Sequence, residues 1–239
     1  MKTLNVVRRG RTVRLKAPEG TFSYFHPERL FTGFSWDSQT ASLLLLRTPV
    51  RRVLLLGLGG GTVARQCRAL FPRAELTGVE VDARVVETAY EHFGLGAAGV
   101  RVEVAPAEEF LRRTRRRFDA ILDDVWTPTP GPKPLLSVRD WASLAASRLG
   151  VGGLYAANVY GRVARAPESR AAVARLAPHF AHLREVRPAL GQTTVIAAGQ
   201  SLLAASEAHA RLRALPEEFA GGLGHLSFID ITTTARAKE

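Results

Sequence analysis

The glycine cluster GLGGG at 57–61 constrains the fold of this chain more than any other feature of its sequence. The apolar run RVLLL at 52–56 precedes it and predicts a buried strand, and a segment with helical periodicity follows at 63–70. A second apolar segment at 75–80 predicts the next strand. Strand, glycine turn, helix and strand form a βαβ unit, which predicts a nucleoside-binding site at the carboxyl ends of the strands.

Two acidic residues complete this unit. Glu80 ends the second strand and Asp82 follows it, where a carboxylate can accept hydrogen bonds from a ribose diol. The glycines lack a Cβ, so the backbone can approach a ligand closely, and the helix N-terminus behind them is expected to offer unpaired N–H groups. The cofactor-binding residues predicted from this unit are Gly57, Gly59, Gly60, Gly61, Glu80 and Asp82.

The spacing of the glycines distinguishes a dinucleotide-binding turn from a turn that binds S-adenosylmethionine. A dinucleotide fingerprint requires G-x-G-x-x-G, but the sixth position counted from Gly57 is Thr62. The pattern GLGGGT followed by EVD instead resembles the S-adenosylmethionine-binding signature of Rossmann-like methyltransferases. A structural βα turn that binds no ligand is the alternative.

Strands and helices alternate regularly after residue 50. The predicted strands span 52–56, 75–80, 100–104, 119–123, 153–159, 182–187 and 193–198. The predicted helices span 63–70, 83–93, 107–114, 138–149 with Ser137 as N-cap, 168–176 and 206–217. The short link between the last two strands permits only an antiparallel hairpin. We therefore predict an α/β fold with a Rossmann-like, seven-stranded methyltransferase sheet. The sequence does not decide whether residues 226–231 form a further strand.

The first 49 residues are predicted to form a small N-terminal β-rich cap. Short strands are indicated at 4–8, 12–15, 21–25 and 31–36, and a helix is indicated at 38–46. We expect two domains, the cap at 1–49 and a Rossmann-like S-adenosylmethionine-binding domain at 50–239.

The lengths of the apolar runs and the number of cysteines limit the cellular compartments in which we expect this protein. The longest apolar run, at 41–46, is far short of the roughly 20 residues that span a bilayer, and charges throughout the first twenty residues argue against a secretory signal. The single cysteine, Cys67, excludes an internal disulfide and suits a reducing compartment. We predict a cytoplasmic protein that does not contact a membrane.

The net charge of +11 raises the question of nucleic-acid binding. The densest basic run, RRTRRR at 112–117, lies between a predicted helix and a strand, at the edge of the sheet where strands begin. Ligands of such sheets bind at the opposite edge. A solvated basic face is therefore favoured over an RNA-binding patch.

The carboxyl end of the fourth strand carries the strongest catalytic candidates. Asp123 and Asp124 stand side by side, followed by Trp126 and a proline-rich loop. Asp123 can orient or deprotonate a nucleophile that attacks a sulfonium carbon. The alternative is that one aspartate caps the next element while the other is only solvated. We predict Asp123 and Asp124 as catalytic residues.

Four segments together resemble the spermidine synthase family of polyamine aminopropyltransferases. They are VLLLGLGGGTVAR, GVEVDARVVETA, FDAILDDVW and PLLSVRDWASLAASRLGVGGLYAANV. The resemblance covers residues 50–160 well and the first 50 in outline. It implies that Gly57 to Gly61 contact the methionine part of the donor, that Glu80 binds its ribose and that Asp123 is the catalytic aspartate. It also implies a possible homodimer.

The chain departs from that family at several positions. Thr62 stands where the family has an aspartate in the glycine loop, and Trp126 replaces the family's second amine-binding aspartate. The acidic residue that holds the adenine amino group falls at Pro106, with Glu108 as the nearest substitute. The family's glutamine near 34–36 is absent, so we assign Trp36, with Trp126, to substrate binding.

These departures favour methyl transfer over aminopropyl transfer. Thr62 at a helix N-terminus can donate to the carboxylate of S-adenosylmethionine, which an aspartate would repel. Trp126 offers an apolar or cation–π surface where a diamine needs charge. We predict a transferase that uses S-adenosylmethionine or its decarboxylated form, without a metal, on a small-molecule acceptor. Two alternatives are a true aminopropyltransferase with a rearranged amine site and a catalytically silent nucleoside-binding protein.

Overall fold

The computed structural model describes residues 5–17, 20–126 and 133–232, which form two sheets and the helices around them. The smaller sheet contains β1 (Asn5–Arg9), β2 (Thr12–Ala17) and β3 (Gly20–Phe25), joined in antiparallel order. Gly10 makes the turn between the first two strands with a φ of 55°. The predicted β-rich cap is therefore present.

The larger sheet has eight strands in the described residues. They are β4 (Arg52–Leu56), β5 (Glu75–Glu80), β6 (Val100–Val104), β7 (Phe118–Asp123), β8 (Leu149–Tyr160), β9 (His182–Arg187), β10 (Thr193–Gly199) and β11 (Ser227–Ile231). Their spatial order is β11-β9-β10-β8-β7-β4-β5-β6. The strands from β8 to β6 pair in parallel, whereas β9, β10 and β11 pair antiparallel. The predicted fold class is confirmed.

The helices lie on both faces of this sheet. They are α1 (Ser35–Ala41), α2 (Thr62–Leu70), α3 (Ala83–His92), α4 (Ala107–Arg113), α5 (Pro134–Ser137), α6 (Trp141–Ser147), α7 (Pro167–Leu176), α8 (Ala205–Arg213) and α9 (Glu217–Leu223), with short 3₁₀ turns at Ser42–Leu45 and Leu95–Ala98. Because the central strand β4 is buried on both faces, its sequence reads as a continuous apolar run. Two core clusters result, one on each face of the sheet.

Three sequence predictions differ from the structure. The sheet has eight strands because β11 covers the otherwise unpaired edge of β9. Residues 31–36 do not form a strand, since the Asp37 carboxylate accepts hydrogen bonds from the amides of Thr32 and Gly33 and holds this segment in a turn before α1. The helix predicted at 138–149 is shorter and begins only at Trp141, because Val138 is extended. Ser137 is not its N-cap but the last residue of the separate helix α5, where its hydroxyl donates to the Lys133 carbonyl.

The predicted domain boundary at residue 49 stays a prediction. Helix α1 lies before this boundary, but it contacts elements that lie after it, namely α2 and the strands β8, β9 and β10. The adjoining residues Leu43 to Leu46 are buried in the core of the larger sheet. Within the described residues, no helix is both long and apolar enough to span a membrane.

Candidate active site

A cleft of about 1210 Å³ opens above the carboxyl ends of the parallel strands and below the N-terminal sheet. Residues at or directly after the ends of β4, β5, β7 and β8 line it, as expected for an open α/β sheet. Seven of the residues predicted from the sequence line this cleft. They are Trp36, Gly57, Gly59, Glu80, Asp82, Asp124 and Trp126.

Glu80 lies at the tip of β5 with its carboxylate fixed by backbone amides. Its Oε2 accepts a hydrogen bond from the Gly59 amide at 2.9 Å, and its Oε1 accepts from the amides of Val81 at 2.9 Å and Asp82 at 3.2 Å. Burial raises the pKa of Glu80 above its usual value, against the effect of these bonds. The carboxylate retains lone pairs for further donors, so it can receive the hydroxyls of a diol.

Asp82 acts mainly as the N-cap of α3. Its Oδ1 accepts hydrogen bonds from the Arg84 amide at 3.0 Å and from Arg84 Nε at 2.9 Å, and its Oδ2 accepts from the same guanidinium. These bonds from Arg84 lower the pKa of Asp82. Its carboxylate therefore has fewer free acceptor positions than that of Glu80.

The glycine turn brings two strand ends into close contact. Gly57 has a φ of +78°, and a Cβ on it would lie 2.7 Å from the Asp124 carbonyl oxygen. The amides of Gly57 and Leu58 donate to the Val79 carbonyl, and the Gly61 amide donates to that of Leu58. The protein itself therefore satisfies the amides of the turn, and the prediction of unpaired N–H groups at the helix N-terminus that follows stays a prediction.

The two adjacent aspartates have different environments. Asp123 is fully buried, and its Oδ2 accepts hydrogen bonds from Trp141 Nε1 at 3.0 Å and from the Tyr155 hydroxyl. Its Oδ1 accepts from the Val125 amide at 3.0 Å. Burial, followed by the charge of Asp123, raises the pKa of Tyr155, so this hydroxyl stays a donor. The Asp123 carboxylate belongs to the core and not to the cleft wall.

Asp124 is half-buried and faces the cleft. Its Oδ1 accepts hydrogen bonds from Asn158 Nδ2 at 2.7 Å and Trp126 Nε1 at 2.8 Å. Burial raises the pKa of Asp124, and the nearby ammonium of Lys133 opposes this shift. Its Oδ2 has no hydrogen-bond partner among the described residues. This oxygen is the group at the cleft best suited to receive a proton from a ligand.

Comparison with known proteins relates this chain to aminopropyltransferases. No family model matches it. The chain is 26% identical over 140 residues to a probable polyamine aminopropyl transferase of Bifidobacterium longum, covering 59% of this chain and 31% of the relative. It is 26% identical over 144 residues to a polyamine aminopropyltransferase of Vibrio vulnificus, covering 59% and 48%. The matches thus span less than half the length of these curated relatives.

Solved structures share the fold over most of the chain. A probable spermidine synthase from Corynebacterium glutamicum superposes with a TM-score of 0.75 at 17% identity, covering 96% of this chain and 88% of that one. A spermidine synthase in complex with the transition state analogue AdoDATO gives 0.71 at 15% identity, covering 92% and 76%. Human methyltransferase-like protein 13 in complex with SAH gives 0.62 at 23% identity, covering 79% and 90%.

The resemblance to the spermidine synthase family is confirmed. The chain is similar in sequence to curated polyamine aminopropyltransferases at 26% identity, and similar in fold to solved spermidine synthases at 15–17% identity. The likeness to the solved structures shows that the chain has a Rossmann-like methyltransferase fold. Its cleft lies where such sheets bind their ligands.

Five residues of the predicted site lie outside the cleft wall. They are Gly60, Gly61, Thr62, Glu108 and Asp123. The Thr62 hydroxyl donates to the Tyr24 carbonyl at 2.9 Å and accepts from the Tyr24 amide at 3.0 Å, so it fastens β3 to α2.

The other two glycines and Glu108 also have partners elsewhere. The Gly60 amide donates to Ser23 Oγ at 2.6 Å, which is a second contact with the N-terminal sheet. A Cβ on Gly61 would lie 2.5 Å from a methyl group of Leu95. The Glu108 carboxylate pairs with Arg112 one helical turn later, at 2.8 Å.

Asn158, Tyr160 and Gln192 are among the polar residues of the cleft that sequence reasoning missed. The Tyr160 hydroxyl donates to Gln192 Oε1 at 2.5 Å, and Asn158 Oδ1 is buried without a hydrogen-bond partner among the described residues. The available signal for Asn158 was a polar residue near the end of the otherwise apolar strand β8. No group of histidine, cysteine, aspartate and glutamate in the described part of the chain is arranged to hold a metal ion.

Proposed function

We propose that this protein is a group transferase that uses S-adenosylmethionine or its decarboxylated form as donor. It transfers a methyl or aminopropyl group to a small-molecule acceptor. The observation that carries this proposal is the position of Glu80, which lines a large cleft together with the Gly57 turn and Asp124. Such a donor, when bound, supplies an electrophilic carbon attached to a sulfonium.

The donor half of the cleft fits an adenosine. Glu80 offers carboxylate oxygens to the ribose diol, and Val79, Val81, Val85 and Ala105 provide small apolar surfaces for the base. Val81 is 66% exposed, so a ligand can bury it. Glu108 is left out of this proposal because its carboxylate pairs with Arg112 away from the cleft.

Asp124 is the proposed catalytic residue. Asp124 lines the cleft, its Oδ2 has no hydrogen-bond partner within 5–17, 20–126 and 133–232, and its raised pKa suits proton acceptance from the attacking nucleophile. Asn158 and Trp126 orient this carboxylate through its other oxygen. Asp123 is proposed as a positioning residue, because its hydrogen bonds hold the end of β7 against β8 and α6. Proximity and exclusion of water supply the remaining catalysis.

Aminopropyl transfer is the second candidate reaction, and two observations favour it. The Thr62 hydroxyl is engaged with Tyr24, so it does not favour the carboxylate of S-adenosylmethionine as the sequence suggested. The two curated relatives compared above are aminopropyltransferases by name. Turnover with decarboxylated donor, and none with S-adenosylmethionine, would establish this reaction.

Two further parts of the hypothesis concern the setting of the enzyme. We propose that the protein acts on free small molecules in the cytoplasm as a homodimer. Light scattering tests the oligomeric state. Nucleic acid is not a proposed partner, since the basic residues around the start of β7, such as Arg112 and Arg116, pair with Asp140 and Glu75.

Calorimetry with three ligands tests the proposed function. Wild-type protein is titrated with S-adenosylmethionine, decarboxylated S-adenosylmethionine and methylthioadenosine, and the titrations are repeated with Glu80→Gln. Hydrogen bonds to a charged group contribute about 1.5–3 kcal/mol, so we expect Glu80→Gln to weaken binding roughly 10–150-fold. The exposed Glu109→Gln is the matched control and should bind like wild type.

Two results would contradict the proposal. One is that none of the three nucleosides binds wild-type protein. The other is that Glu80→Gln, shown by circular dichroism to be folded, binds all of them with unchanged affinity. A catalytically silent protein would bind the donors but give no turnover with any acceptor.

A further inference from the structure

The acceptor half of the cleft has aromatic walls. Phe34 and Trp36 come from the start of α1, Trp126 follows β7, and Tyr160 ends β8. Phe34, Trp126 and Tyr160 are 37%, 38% and 47% exposed, although large aromatic side chains are usually buried. The rings of Phe34 and Trp36 meet at 63° with their centroids 6.1 Å apart. Exposed aromatic surface grouped in one cleft indicates a ligand that covers it.

The same half of the cleft carries little negative charge. Among the described residues, Asp124 provides the one carboxylate that lines it. Its other polar groups are neutral, including Asn158 and the hydrogen-bonded pair of Tyr160 and Gln192. A diamine carries two ammonium groups at neutral pH, and the second of them would have no carboxylate to meet here.

Lys133 reduces the negative charge further. This ammonium is 5% exposed and lies 3.6 Å from Asp123 Oδ1, 3.4 Å from the Asp123 carbonyl oxygen and 4.8 Å from the centre of the Trp126 ring. Lys133 therefore compensates the charge of Asp123 and already supplies a cation to Trp126. Asp123, Asp124 and Lys133 together carry one net negative charge, which a sulfonium donor would neutralise.

One carboxylate oxygen is available where a nucleophile would sit. Asp124 lines the cleft, and its Oδ2 lacks a hydrogen-bond partner among the described residues. Asn158 Nδ2, at 2.7 Å, and Trp126 Nε1 hold the other oxygen, Oδ1, and so fix the orientation of the carboxylate. An amine or hydroxyl can donate to Oδ2.

We propose that the acceptor is an aromatic molecule with one nucleophilic amine or hydroxyl group, and not an aliphatic diamine. This inference rests on the proposed function. The aromatic body packs between Trp36 and Trp126, and the nucleophile lies at Asp124. The nucleophile's lone pair forms the new bond to the donor carbon as the carbon–sulfur bond of the donor breaks. The electron pair of the broken bond stays on the sulfur, which becomes a neutral thioether. The nucleophile's proton passes to Asp124 Oδ2.

An acceptor panel tests this inference. The enzyme is supplied with each donor in turn, together with 2-phenylethylamine, 4-ethylphenol, putrescine or spermidine, and the release of thioether nucleoside is measured. We expect kcat/KM for one of the two aromatic compounds to exceed that for either polyamine at least tenfold. The amine and the phenol distinguish the two nucleophiles.

Variants of Trp126 locate the specificity. Trp126→Asp removes an aromatic wall and adds a carboxylate, so we expect it to lower kcat/KM for the aromatic acceptor and raise that for putrescine. Trp126→Phe is the matched control, because it keeps a ring and loses only the hydrogen bond to Asp124. It should keep the preference for the aromatic acceptor.

The outcomes separate this inference from the proposed function. Donor binding measured by calorimetry tests the function alone. If a donor binds but putrescine or spermidine is the better acceptor, or if neither aromatic compound is turned over, the inference is overturned and the proposed donor site stands. If no donor binds, both fail.

Discussion

Substituting asparagine for each of the two adjacent aspartates should separate stability from catalysis. In Asp123→Asn the new amide keeps one oxygen for the donors of Tyr155, Trp141 and Val125, and its NH₂ group faces at least one of them. Lys133, 3.6 Å away and buried, also loses its compensating charge. Breaking a buried ion pair from one side costs about 3–5 kcal/mol.

Asp124→Asn should have the opposite effects, with a small loss of stability and a large loss of turnover. The amide oxygen can still accept from Asn158 and Trp126 through the position of Oδ1. The half-buried site therefore loses about 1 kcal/mol or less of stability. The loss of the proton-accepting oxygen should lower kcat about 10²–10⁴-fold.

Thermal unfolding and steady-state turnover measure the two effects. For a chain of this size each kcal/mol shifts Tm by about 2–4 °C, so Asp123→Asn should lower Tm by roughly 6–20 °C. Its kcat per folded molecule should stay within about tenfold of wild type, because its carboxylate lies outside the cleft. Tyr155→Phe, which removes one donor and keeps the charge, provides a milder variant if Asp123→Asn does not fold.

One pattern of results would refute this reasoning. It is an Asp123→Asn protein with wild-type Tm and no turnover, together with an Asp124→Asn protein that keeps full turnover. That pattern would return the catalytic role to Asp123, as the sequence alone predicted.

Three further predictions concern the cleft and its attachment to the N-terminal sheet. Thr62→Val should lower the free energy of unfolding by about 1–3 kcal/mol, since both Tyr24 backbone groups lose their partner, and should leave the ratio of Kd values for the two donors unchanged in calorimetry. Gly57→Ala should abolish donor binding, because its Cβ would lie 2.7 Å from the Asp124 carbonyl at a φ of +78°; retained affinity would contradict the close approach. Burial raises the pKa of Glu80, and a ribose diol favours its charged form, so donor affinity should be constant near neutral pH and fall as pH drops through that raised pKa. A flat dependence of Kd on pH would contradict the role of Glu80.

The sequence predicted the parallel strands well because apolar residues recur along them. Strands at 52–56, 75–80 and 100–104 have the predicted bounds. The central strand β4 is a continuous apolar run buried on both faces, whereas the edge strand β6 alternates valine with Arg101 and Glu103. Residues 31–36 were misread because the Asp37 carboxylate, and not the local hydrophobic pattern, fixes that turn. Such side chain-to-backbone contacts leave little trace in hydrophobic periodicity.

The site was harder to predict than the fold. Successive residues of a strand point in opposite directions, so the choice between Asp123 and Asp124 depends on a single step at the end of β7. The sequence identified both residues but could not determine which carboxylate enters the cleft. The partner of Thr62 is Tyr24, 38 residues earlier in the N-terminal sheet, and a long-range contact of this kind is invisible in one sequence.

The closed hydrogen bonding of the glycine turn also limits which metabolites the cleft can accept. Every amide from Gly57 to Gly61 already donates to Val79, Glu80, Ser23 or Leu58. Pyrophosphate groups are commonly held by free amides at such a turn. The phosphates of ATP or NAD could accept hydrogen bonds from these amides only if the protein's own hydrogen bonds broke. A nucleoside whose 5′ carbon bears uncharged or cationic sulfur does not need hydrogen bonds from these amides. Under the proposed function, this turn therefore favours an unphosphorylated nucleoside over the abundant nucleotides of a cell, and the carboxylates of Glu80 and Asp124 in the same cleft add to that preference.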